Sequence, residues 1–112
     1  MLNNKKAAND LIKIAKSLVS NNVANKSGEY KNFTGTIDWK GSKGEVSNAT
    51  FELMNRDGII WYDGTWKRGR WYEGTWKRGV WKDGTWEYGI WKNGTWKNGF
   101  WQDGLWKKGT WE

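Results

Sequence analysis

The chain has 112 residues, a net charge of +7, and no cysteine, histidine or proline. That composition excludes a disulfide frame and any thiolate or imidazole metal site, and it removes the commonest general base of enzymes. The basic excess is spread over both halves of the chain, which keeps a surface soluble and leaves attraction to a polyanion open.

Residues 1–31 read as an N-terminal helix followed by a polar linker. Over residues 5–24, Ala8, Leu11, Ile12, Ala15, Leu18 and Val19 recur at three- and four-residue spacing. That is the pattern of one amphipathic helix. Lys5, Lys6, Asp10, Lys13, Lys16 and Ser17 mostly take the other side, Asn21 and Asn22 weaken the end, and Ser20 to Lys31 is polar. Asn9, Asp10, Lys13 and Lys16 interrupt the apolar run, so it lacks the core of a signal peptide, and nothing approaches transmembrane length. The chain is therefore expected to act inside a cell or on a virion. The helix has no Trp or Phe on its apolar side, so a membrane is not an expected partner. It is expected to pack on the rest of the chain or on a twin helix.

Residues 32–60 predict an irregular β cap. Phe33 to Trp39 alternates loosely, Lys40-Gly41-Ser42-Lys43-Gly44 is a turn, and Val46 to Met54 suits a second strand. Asp57-Gly58 then turns the chain into the C-terminal half.

Residues 61–112 are a repeat tract. Trp61, Trp66, Trp71, Trp76, Trp81, Trp86, Trp91, Trp96, Trp101, Trp106 and Trp111 fall on every fifth residue, and a glycine stands two residues ahead of each from Gly64 to Gly109. The unit is G-x-W-x-x, and a fixed period of this kind identifies a repeat architecture. Asn-Gly and Asp-Gly steps between β-prone residues are strong hairpin signals. The leading expectation is thus a mainly β fold, an antiparallel meander of three-residue strands in a single-layer sheet. Every Trp would then point to one face as a ladder. One long edge would carry Asp63, Glu73, Asp83, Asn93 and Asp103, and the other Arg68, Arg78, Tyr88, Asn98 and Lys108. The alternative is a β-solenoid with four pentads per coil, in which glycine makes room for the indoles. Against it stands the overfilling that four indoles per layer would cause.

Tyr62-Asp63-Gly64-Thr65-Trp66-Lys67-Arg68-Gly69 resembles the core of a MORN repeat, Y-x-G-x-W-x-x-G, and Tyr72 to Gly79 matches it again. The resemblance implies β-hairpin sheets that serve as scaffolds for partners, self-association or lipid headgroups. The MORN unit is longer than the ten-residue repeat here, and Lys82, Lys92 and Gln102 replace its Tyr. The W-x-x-G tract also resembles repeat proteins of large tailed phages, which implies a structural or accessory viral role.

Catalysis is not expected, because the acids of the tract mostly stand at turn positions and the serines have no base near them in sequence. No cofactor or metal is expected either. The leading functional expectation is a scaffold or assembly module acting through self-association or a protein partner, since so large an indole face must be covered. A second is binding of single-stranded nucleic acid or nucleotides by Trp stacking, with Lys67, Arg68, Arg70, Lys77, Arg78, Lys97 and Lys108 as candidate polyanion contacts. A third is glycan binding, for which Tyr62, Tyr72 and Tyr88 are better placed than the ladder.

Overall fold

Fifteen residues separate paired strands in the tract. In the computed structural model, which describes residues 22–112, Trp61 lies beside Trp76 and Trp76 beside Trp91 in parallel register. Four strands come first: β1 (Val23–Ala24), β2 (Gly28–Trp39), β3 (Ser42–Met54) and β4 (Gly58–Trp71). Short ones follow: β5 (Gly74–Trp76), β6 (Val80–Trp81), β7 (Thr85–Trp86), β8 (Ile90–Trp91), β9 (Thr95–Trp96), β10 (Phe100–Trp101), β11 (Leu105–Trp106) and β12 (Thr110–Trp111). The long strand β4 pairs in succession with β5, β6 and β7, so it forms three sides of one coil. Later coils stack on it side by side, β8 and β11 above β5, β9 and β12 above β6, and β10 above β7. The fold is a three-sided β-solenoid of about six turns.

This overturns the single-layer antiparallel meander and keeps the alternative, with one change. A coil holds three pentads rather than four. The packing objection applied to four indoles per layer, and three fit. Around each coil the rings meet edge to face, as in Trp76–Trp81 at 5.9 Å and 69°. Between coils they stack nearly parallel, as in Trp76–Trp91 at 4.8 Å and 7°. Both arrangements suit the ring quadrupole. The meander would leave one side of every indole to water, whereas the coil buries Trp61 through Trp96 almost completely. The two opposed edges expected of a ribbon do not exist.

Glycine decides the corners. A side-chain carbon on Gly64 would lie 2.6 Å from the Asn48 carbonyl oxygen and the Ala49 Cα of the layer below. Its φ of 117° also lies where side chains are strained. Aspartate or asparagine before the glycine accepts the corner N–H, for example Gly84 N–H to Asp83 Oδ1 at 2.8 Å and Gly94 N–H to Asn93 Oδ1 at 2.9 Å. The hairpin-like dipeptides of the sequence are therefore corner residues of a coil.

The cap is built from the same three-sided outline but with reversed strands. β3 runs antiparallel beneath β4, and β2 antiparallel beneath β3. These long strands turn their corners at register shifts, near which Asn32 and Asn48 take left-handed backbone at φ 50° and 48°. Asparagine tolerates that region better than most residues. Phe51 continues the tryptophan stack under Trp61 at 5.8 Å and 7°, and Tyr30 stacks under Phe51 at 4.9 Å. The reversal between β2 and β3 is a tight turn at Lys40-Gly41, both with positive φ.

Most of the expected N-terminal helix lies outside the described residues. Its last residues do not fit the expectation, because Val23–Ala24 forms β1 along β2 in parallel. The Thr36 N–H donates to the Asn22 carbonyl at 2.7 Å, so a free strand edge captures this segment. The stretch expected as linker is also partly strand, since β2 begins at Gly28.

Candidate functional site

The coil sorts the outer residues into axial columns. The first face carries Trp61, Trp76, Trp91 and Trp106, the second Trp66, Trp81, Trp96 and Trp111, and the third Trp71, Trp86 and Trp101. The residues on either side of each Trp point outward, because side chains alternate along a strand. Corners follow each face. The first holds Asp63, Arg78, Asn93 and Lys108, the second Arg68, Asp83 and Asn98, and the third Glu73, Tyr88 and Asp103.

Acids and bases alternate every ten residues in sequence, but a coil closes every fifteen. The two periods together place an acid over a base within one corner column. Arg78 thus pairs with Asp63 at 3.7 Å, and Asn98 donates to Asp83 at 3.4 Å. Arg68 finds Glu45 of β3 at 3.2 Å. On the third face, Arg70 donates to Glu87, which holds the guanidinium above its ordinary pKa. The acidic and basic rims expected from the sequence become mixed columns at the first two corners and an acidic one at the third, where Tyr88 stands between Glu73 and Asp103.

The candidate polyanion contacts divide accordingly. Arg68, Arg70 and Arg78 are each engaged with a carboxylate. Lys67 and Lys97 stand in one column on the second face, with Lys82 between them. Lys77 stands on the first face below Lys92 and Lys107. Lys108 is at the first corner. The sequence reading missed Lys82, Lys92 and Lys107 as column members, although a fifteen-residue spacing would have found them. Lys77 also lies over the Tyr62 ring at 5.2 Å.

The tryptophans of the ladder, which the nucleic-acid expectation alone would use as a platform, are core. Trp61, Trp66, Trp71, Trp76, Trp81, Trp86 and Trp91 are fully buried and Trp96 is nearly so, leaving Trp101 and Trp106 half-buried and Trp111 exposed. Each ring from Trp76 to Trp96 is sandwiched between tryptophans fifteen residues away on both sides, and Trp61 lies between Phe51 and Trp76, which leaves no slot for a base or a sugar. Tyr72 and Tyr88 are exposed, but on different columns, and Tyr72 lies under the Arg70 guanidinium.

One concave region runs along the third corner. It has a volume of about 580 Å³ and is walled by Ile60, Ile90 and Leu105 on one side and Glu73, Tyr88 and Asp103 on the other. Among the described residues, no group of three or more acidic side chains is arranged to hold a metal ion. No described helix is long and apolar enough to cross a membrane. The site defines an outward-facing repeat surface on a rigid coil. No protein-family model, curated protein or solved structure matches this chain.

Proposed function

We propose that this protein is a non-enzymatic repeat scaffold that works by self-association or by binding a protein partner along its columns. The observation that carries this reading is the placement of the indoles. A chain that commits eight tryptophans to a stacked interior gains rigidity from them and leaves its recognition chemistry to the axial columns. Those columns repeat once per layer, at ~4.8 Å, which suits contact with something extended. The likeness of the W-x-x-G tract to tailed-phage repeat proteins supports a structural or accessory role on a virion. Light scattering at several concentrations tests the assembly form of the proposal. A mass that rises with concentration is expected, and a strict monomer throughout would contradict it.

A second reading is favoured by one observation, the unbroken columns Lys67-Lys82-Lys97 and Lys77-Lys92-Lys107. Stacked like charges are relieved by a polyanion such as single-stranded nucleic acid. Binding would then fall with salt, at roughly −0.7 in log-log slope per phosphate contacted. Tryptophan emission would stay unchanged, because the rings are not the contact.

A further inference from the structure

We propose that the groove at the third corner receives the first-corner ridge of a second copy of this chain, an inference that rests on the assembly reading above. The groove is the acidic part of a basic molecule. Asp57, Glu73 and Asp103 line it, and no Lys or Arg does, in a chain with 19 of them. The cause is local. The corner alternation that brings Arg78 over Asp63 would bring a cation over Glu73, but Tyr88 occupies that place. None of the ion pairs among the described residues involves Asp57, Glu73 or Asp103. All three line the groove beside Ile60, Ile90 and Leu105, and Asp103 also accepts the Gly104 N–H at 2.7 Å.

The first corner is its complement. Lys77, Lys92 and Lys107 are exposed on the first face beside that corner, one per layer, and Lys108 is exposed at the corner itself; Asp63 of the same corner is paired with Arg78. Lysine suits such a groove, since its stem covers apolar surface while its ammonium reaches a carboxylate. The spacing selects the partner. Groove positions and ridge lysines recur with the same layer repeat, because both are set by the same coil; carboxylates fill the groove positions at Glu73 and Asp103, with Tyr88 in the layer between them. An extended peptide lying along the groove presents same-side residues every ~6.6–6.8 Å and loses register after one or two layers. A second copy keeps register throughout. The contact joins unlike surfaces, so each copy retains a free groove or a free ridge, and association continues beyond a pair.

The test uses sedimentation velocity on the full chain at about 0.1 M salt, where repulsion between whole molecules is largely screened beyond ~10 Å and direct contacts persist. The wild type is expected to gain mass with concentration and to return toward monomer at about 1 M salt. Asp57→Lys/Glu73→Lys/Asp103→Lys and Lys77→Glu/Lys92→Glu/Lys107→Glu variants are each expected to stay monomeric, and their equimolar mixture to associate. The ridge variant has less net charge and less repulsion, so its loss of association is the stricter result. These side chains are outside the core, and unchanged tryptophan emission verifies that both variants fold. A groove variant that assembles as the wild type does overturns the docking and leaves assembly standing. A mixture that stays monomeric overturns the pairing of these two surfaces. A wild type that is monomeric throughout removes both readings. Carbodiimide coupling in a mixture of isotope-labelled and unlabelled chains identifies the occupant. Links between chains from Glu73 or Asp103 to Lys77, Lys92 or Lys107 are expected. Links within one chain to Lys5, Lys6, Lys13 or Lys16 would make the N-terminal segment the occupant and overturn the proposal.

Discussion

Each tryptophan from Trp76 to Trp96 has four aromatic neighbours, and that determines what its loss costs. Trp81 stacks on Trp66 at 5.2 Å and Trp96 at 4.9 Å, and it meets Trp76 and Trp86 edge to face. Trp81→Ala is expected to destabilise the fold by about 3–5 kcal/mol in urea titration. A finer comparison isolates one hydrogen bond. Trp86 Nε1 donates to the Asp103 carbonyl of the next coil at 3.1 Å, whereas Trp81 Nε1 is buried and makes no such bond. Trp86→Phe should therefore cost about 1 kcal/mol more than Trp81→Phe. Equal losses would remove the role given to that N–H. Corner glycine is similarly constrained. At Gly84, with φ 123°, a Cβ would lie 2.9 Å from the Gly69 nitrogen. Gly84→Ala should cost more than about 1 kcal/mol. By contrast, Arg78 and Asp63 are largely exposed, and Arg78→Ala should shift stability by less than about 1 kcal/mol.

At the scale of elements, a two-residue strand such as β8 (Ile90–Trp91) has no independent stability, and its coil neighbours supply the partners. Lys92 N–H donates to the Trp76 carbonyl and Lys107 N–H to the Trp91 carbonyl, both at 2.8 Å. Amide exchange should then be slow at Lys82 and Lys92, which donate into the interior coils, and faster at Glu112 beside the exposed Trp111. Uniformly fast exchange in the tract would argue against the ladder. Much of this is legible in the sequence. The pentad and its glycine imply the short strands, and Val46 to Met54 covers most of β3. The pairing distance is not legible, because every pentad is nearly the same. A Trp fits equally well against the Trp five residues on, across a hairpin, or fifteen residues on, across a coil. Local turn chemistry favours the hairpin, since Asp-Gly and Asn-Gly serve both a hairpin and a corner. What decides is burial of both flanks of each indole, a tertiary effect.

At the scale of the whole molecule, the same ambiguity explains why the candidate site is only partly readable. Lys67, Lys77 and Lys97 stand out in sequence as separate contacts, and only the coil shows that Lys82, Lys92 and Lys107 complete their columns. The groove at the third corner is invisible in sequence, because Asp57, Glu73 and Asp103 converge only when three pentads make a turn. The burial of the ladder also changes the grounds for assembly. A covered core needs no second chain to hide it, so assembly rests on the outer columns. Emission from the tryptophans should be blue-shifted in dilute, monomeric protein, and a red-shifted spectrum under those conditions would mean that the rings need a partner after all.

The fifteen-residue pairing is tested most directly by a disulfide between Val80→Cys and Thr95→Cys, which face outward on β6 and β9 in direct register. A bridge requires Cα atoms within ~7 Å, and in a hairpin meander these positions would be three strands, ~14 Å, apart. Oxidation of the double variant in dilute solution is expected to give an intramolecular disulfide, with tryptophan emission unchanged. Failure of that pair to close, while Lys82→Cys/Thr85→Cys closes across what would be a hairpin turn, would contradict the coil.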